Sequence, residues 1–301
     1  MHNTILATLH EYSGPVVAMS VAGILVLLIG IWTAKGGVAR ARGLDKFVAL
    51  ANLSFAVPLA IFGAEHFGFA VAMIPGVPSY MPWRLFWVYF VGTALLAASL
   101  SMAAGIQVKW SGLLFGSMML LFVAMMDIPG VFSNPGNRIA WTLAVRELVF
   151  GAGGWLLAAP ALSGEGKRWV IAVGRVVVGL TAMFYGVEHF IHPLSRPGVP
   201  LEGLMPEWIP GRLLIGYLTG AILVAAGAMI LLNKRMRLAA TVLGGWIVLL
   251  VAFIYGPILI ALMWTPNTGV NVEGLNYFGD TLLFAGVILA LARAAEREAT
   301  D

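Results

Sequence analysis

The chain has 301 residues, of which 60% are hydrophobic and 11% charged, with a mean hydropathy of +0.92. A soluble domain of this size has no use for so much apolar surface, so a soluble globular enzyme is excluded and a multi-span membrane protein remains. The formal net charge is +4 and there is no cysteine, which excludes disulfide exchange, thiolate metal sites and iron–sulfur clusters held by the chain's own thiols.

A hydrocarbon core takes about 20 apolar residues per helix. The chain supplies nine such runs, at roughly 15–33, 46–66, 84–105, 110–128, 139–161, 168–190, 211–232, 237–263 and 277–295. The expected fold is therefore all-α, a polytopic membrane helix bundle of about nine transmembrane helices. The first run has no basic region before it and no small-residue cleavage site after it, so it reads as a retained helix and an anchor. Lys35, Arg40, Arg42 and Lys46 follow the first run, Lys109 the third, Lys167 and Arg168 the fifth, Lys234, Arg235 and Arg237 the seventh, and Arg293 and Arg297 the ninth. All fall on one side of the membrane, and the positive-inside rule makes that side the cytoplasm, with the N-terminus outside and the C-terminus inside. The basic balance is thus topological. Membrane lipids are expected partners and nucleic acid is not, and the location implied is a bacterial-type cytoplasmic (inner) membrane.

After the first run the sequence repeats itself. Glu65-His66-Phe67 returns as Glu188-His189-Phe190, each copy at the end of an apolar run and ahead of a Pro/Gly-rich loop. Pro75-Gly76-Val77-Pro78 returns as Pro197-Gly198-Val199-Pro200, Arg84 with Tyr89 and Gly92 as Arg212 with Tyr217 and Gly220, and Ala124 and Pro129 as Ala252 and Pro257. Glu147 matches Asp280. The offset climbs from 122 (75 to 197) to 133 (147 to 280), as a tandem duplication with small loop insertions would give. Each unit holds an even number of helices, so the two units are parallel and equivalent residues lie at one depth. Three segments follow: 1–45, an N-terminal helix with a basic loop; 46–163, the first four-helix repeat; and 164–301, the second. The outer loops at 67–83, 128–138, 191–211 and 264–277 are the longer ones, and Trp83, Trp87, Trp208 and Trp264 sit where an interfacial aromatic belt is expected. The segment 201–208 is a candidate for a short interfacial piece covering a cavity.

Ionisable residues inside membrane spans are costly, face the protein interior and mark function by default. Here they gather toward the outer side. Glu65, His66, Glu188 and His189 are the candidate catalytic residues; Arg84, Tyr89, Arg212, Tyr217, Glu147 and Asp280 are candidate ligand contacts; Asp127, Arg138 and Arg146 lie at the same depth. A scaffold role stays open, with Glu65 paired to Arg84 and Glu188 to Arg212, each pair holding an outer loop on its bundle. Metal binding by Glu and His from both halves also stays open. A cavity among apolar helices with His, Arg and carboxylates at one end suits an amphiphile with a polar head and an isoprenoid tail; a quinone fits, and phospholipid and other lipidic substrates fit almost as well.

These residues resemble the DoxX-like membrane family, whose four-helix unit ends its first helix in a Gly-x-x-His-Phe-like sequence, here Gly63 to Phe67 and Gly186 to Phe190, followed by a Pro-rich loop and a helix carrying Tyr-x-x-Gly, here Tyr89 to Gly92 and Tyr217 to Gly220. Two such units in tandem would cover about 46–295. The resemblance implies a quinone- or lipid-linked subunit of a membrane redox complex, with a partner subunit. Its alternatives are a non-enzymatic accessory or assembly factor and a small-molecule transporter. The chain lacks the acidic residue that such units carry after the Tyr/Gly pattern, having Thr93-Ala94 and Ala221-Ile222 there.

Overall fold

A computed structural model describes residues 13–298, with side chains to 295. The extreme ends of the first and third expected segments, and the Arg297 side chain, lie outside the described residues. Nine helices carry the fold: α1 (Gly14–Arg40), α2 (Ala51–Gly68), α3 (Arg84–Ala104), α4 (Val108–Phe122), α5 (Arg138–Ala158), α6 (Gly164–Ile191), α7 (Arg212–Leu231), α8 (Met236–Leu250) and α9 (Thr268–Glu298). No strand is present among the described residues, only one isolated bridge between Ser195 and Leu204. Eight of the helices, α4 and α8 with their continuations, are long and apolar enough to cross a membrane unaided, and α2 makes a ninth when joined to the segment 70–76, toward which the chain bends by 99°. The protein is an all-α, multi-pass integral membrane protein.

Helices in lipid gain little from apolar burial against one another and associate through close packing, which small residues permit. The contacts follow that rule. A Cβ on Gly63 of α2 would stand 3.1 Å from the Gly92 carbonyl of α3, and one on Gly186 of α6 would stand 2.9 Å from the Gly220 carbonyl of α7. Gly112 of α4 meets the Gly154 carbonyl of α5, where a Cβ would be 2.6 Å away. The helix pairs α2/α3 and α6/α7 are the most intimate in the molecule. α9 is the most buried helix, and α2 and α5 also bury much of their length; α9 and α5 pack on each other, α2 lies on α9, and α6 lies on α5. α1 covers α2 and α3 and turns much of its surface outward, as an anchor in lipid does.

α4 and α8 share an irregularity. Each widens into a π turn, Val123–Asp127 and Val251–Tyr255, before running on as Ile128–Ser133 and Gly256–Met263. The cause is Pro129 and Pro257. A proline inside a helix has no N–H to donate and its ring pushes against the carbonyl four residues back, and an extra residue in the turn relieves both problems.

At the basic end, short connections are pinned by polar contacts. The Thr33 hydroxyl donates to the Ala103 carbonyl at 2.6 Å, Arg237 pairs with Asp45 at 2.7 Å, and Arg293 donates to the Asn52 side chain at 2.8 Å. The long loops 69–83 and 192–211 lie at the opposite end, and there the two halves of the chain diverge.

Candidate functional site

Beyond the end of α2 lies an apolar cavity of about 500 Å³. Its floor is His66. Its walls are the loop from Ala72 to Met81, the first turns of α3 around Trp87, Val88 and Val91, and the face of α4 from Met118 to Met126. Five methionines line it, so the wall is soft and adaptable. Local chemistry builds the opening. α2 stops at Gly68, where a Cβ would strike Pro15 at 2.5 Å, and the chain then turns away through 99°. Arg84, in the first turn of α3, donates to the carbonyls of Val77 (2.9 Å) and Ile74, and the Trp87 indole donates to the Pro82 carbonyl at 3.0 Å, so the loop is tied down beside the cavity instead of across it. The His66 ring is held from behind. Its Nδ1 donates to the Phe62 carbonyl at 2.7 Å, and Gly92 leaves room for it, since a Cβ there would lie 2.7 Å from the His66 Cβ.

At the corresponding place in the second half the space is filled. Residues 195–201 are buried without exception. Gly198 N–H donates to His189 Nε2 at 2.9 Å, the Tyr255 hydroxyl donates to the Pro197 carbonyl at 2.9 Å, and Arg138 donates to the Pro200 carbonyl at 2.9 Å and to the Leu201 carbonyl at 3.4 Å. Arg196 pairs with Glu273 at 3.0 Å and lies over the Tyr277 ring, whose hydroxyl accepts from Gly203 N–H. Gly198 has φ +113°, a conformation that only glycine adopts without strain. The segment 201–208, expected as a cover, instead carries the bridge between Ser195 and Leu204 and buries Leu201 and Met205 as part of the plug.

A third polar group sits where the central helices meet. Arg146 of α5 pairs with Asp280 of α9 at 2.7 Å and with its neighbour Glu147 at 3.3 Å. Asp127, at the end of the π turn in α4, lies within hydrogen-bonding reach of Glu147. A pair of carboxyls so placed can hold one proton between them. Glu65 belongs to this region, because its Oε1 accepts from the Asn276 amide at 3.0 Å.

The expected pairs Glu65–Arg84 and Glu188–Arg212 do not form. Glu65 bonds Asn276, and Glu188 pairs with Arg138 at 2.9 Å. Arg84 takes loop carbonyls, while Arg212 donates to the Met205 carbonyl at 3.2 Å and approaches only the exposed Glu207, at 4.0 Å. The reason is geometric. Each arginine opens its helix and folds back onto the loop before it, whereas each glutamate points sideways from α2 or α6 toward α9 or α5. Both arginines do hold their loops, but through carbonyls. Glu65, His66 and Arg84 are therefore not one connected cluster, and neither are Glu188, His189 and Arg212. Tyr89 and Tyr217 do not line the cavity above His66 and pack their half-exposed rings on Phe67 (5.5 Å) and Phe190 (6.3 Å). Of the four belt tryptophans, Trp83, Trp208 and Trp264 are well exposed and Trp87 serves as cavity wall. Among the described residues no three of His, Asp and Glu converge on a point that could hold a metal ion. Asn276, Tyr255 and the pairing of Asp127 with Glu147 are new from the structure.

Fold and composition thus define a class, the multi-pass helical membrane proteins, here with a histidine-floored apolar cavity opening among the helices. No protein-family model, no curated protein and no solved structure matches the chain.

Proposed function

We propose that the protein binds the head of a membrane quinone, or of a closely similar prenylated amphiphile, in the cavity above His66, and works as a quinone-linked subunit of a membrane redox complex. The observation that carries this reading is the cavity itself: about 500 Å³, walled by apolar, aromatic and thioether groups, with one imidazole at its floor. That is the composition a small-molecule site has when a ring is held by shape and oriented by very few polar contacts. The reading goes with a DoxX-like ancestry, two tandem four-helix units in 46–163 and 164–301, and a cytoplasmic-membrane setting with the basic end inside. Supporting the duplication are the matched glycine crossings of α2/α3 and α6/α7 and the π turns at equivalent places in α4 and α8. His66 is the ligand contact. Glu65, Glu188, His189 and Arg212 hold the frame, Arg84 holds the loop that borders the cavity, and Asp127, next in sequence to wall residues Met125 and Met126 and bonded to Glu147, takes up protons for the ligand's chemistry.

The test is photolabelling of the purified protein with an azido-quinone. Crosslinks are expected in peptides 69–83 and 118–126, competed by unlabelled quinone and lost in Met118→Trp, which fills the cavity. Labelling confined to the lipid-facing surfaces of α1 and α7, or insensitive to competitor, would overturn the proposal.

A further inference from the structure

Resting on the quinone reading, we infer that the cavity is built for the reduced, hydroxyl-bearing form, the quinol, and discriminates against the quinone. The argument starts from the tautomer of His66. Its Nδ1 lies 2.7 Å from the Phe62 carbonyl, and a carbonyl oxygen can only accept, so the ring proton is on Nδ1. No carboxylate lines the cavity to compensate a charged imidazole, and Glu65, next in sequence, points away to Asn276. In the neutral ring Nε2 is then a lone pair, and no described protein group donates to it. What the cavity presents to a ligand at its floor is a hydrogen-bond acceptor.

The second half of the molecule shows what that lone pair takes when it is satisfied. His189 occupies the matching position on α6, packed against Gly220 as His66 is against Gly92. Its Nε2 accepts the Gly198 N–H at 2.9 Å in a fully buried setting. The occupant of that place is a donor. The cavity wall supplies no side-chain donor to balance an incoming acceptor: the Trp87 indole N–H is committed to Pro82, and the methionine sulfurs can only accept weakly. A quinone brings two carbonyl oxygens, both acceptors, and would set oxygen against a nitrogen lone pair. A quinol brings two O–H donors and satisfies His66 directly. In apolar surroundings one such unmade hydrogen bond is worth about tenfold or more in affinity.

The experiment uses the full chain in detergent, with quenching of tryptophan fluorescence as readout and three ligands sharing one short alkyl tail: a benzoquinol held reduced under anaerobic conditions, its quinone, and its dimethyl ether, which keeps the shape and lacks the donors. The quinol is expected to bind about tenfold or more tighter than either of the others, and His66→Phe to reduce the three affinities to near equality while the protein stays monodisperse. Equal or tighter binding of the quinone to the wild-type protein overturns the inference and leaves the quinone reading standing. Saturable binding of none of the three removes the quinone reading and the inference with it.

Discussion

The two Pro-Gly-Val-Pro loops start from the same four residues and end in opposite states. Around His189 the loop is driven between the helices, its backbone bonded at Gly198, Pro197, Pro200 and Leu201, and residues 195–201 are all buried. Around His66 the same motif stays at the rim, tied to Arg84, and a cavity survives. The difference comes from the partners. Tyr255 at the end of the π turn in α8 and Arg138 at the start of α5 reach for the second loop. At the matching point of α4 stands Asp127, and that carboxyl turns to Glu147. The same four-residue motif can thus be built into the core at one place and left at the rim of a cavity at another.

Substitutions that touch one loop and then the other sharpen this contrast. The largest effect is expected at Arg138. Removing it in Arg138→Ala leaves Glu188 and two loop carbonyls without their partner, at a cost of about 3 kcal/mol, the low end for breaking a buried pair because the Arg138 side chain keeps 29% exposure. Arg84→Ala should cost only about 1 kcal/mol, since the carbonyls it releases belong to a loop that water can reach. Chemical denaturation in mixed micelles measures both, and equal losses would mean that the first loop carries as much structure as the second. Next come the histidines. His189→Phe keeps volume but orphans the Gly198 N–H, for about 1–3 kcal/mol; His66→Phe should shift stability by no more than about 0.5 kcal/mol. The glycines follow. Gly198→Ala forces a side chain to φ +113° with its Cβ 3.0 Å from Thr281, a strain on the order of 1–2 kcal/mol, whereas Gly76→Ala meets nothing within 4 Å and should be neutral.

Much of this architecture is legible in the sequence, because lipid imposes it. Nine apolar runs, a basic residue after every second one and the repeated Glu-His-Phe announce the bundle and its internal likeness. The glycines of the Tyr-x-x-Gly pattern are legible as close-packing positions, though not which helix each meets. Partner choice is what stays hidden. Glu65 and Arg84 look like a pair in the sequence, and only the three-dimensional arrangement sends one to Asn276 and the other to loop carbonyls. The π turns are foreshadowed by Pro129 and Pro257, but that they aim Asp127 and Tyr255 inward depends on one extra residue in a turn, which no periodicity reveals. Above all, two copies of Pro-Gly-Val-Pro cannot tell a plug from a rim, since the motif is the same and its surroundings decide.

The gentlest substitutions address that last distinction directly. The natural chain has no cysteine, so a single introduced thiol reports without background. Val77→Cys and Val199→Cys place it at the same position of the two loops, and neither should cost much stability, a thiol being a small apolar group close to valine in size. Val77 borders the cavity and is half-buried, whereas Val199 is 1% exposed. A membrane-impermeant maleimide added to intact vesicles should therefore modify the first variant and leave the second unlabelled until the protein is denatured. Ligand adds a further discrimination: a quinol analogue should slow modification of Val77→Cys and leave Val199→Cys unaffected. Rapid labelling at both positions would mean that the second loop opens as readily as the first, and the division into a buried loop and a cavity-rim loop would then be lost.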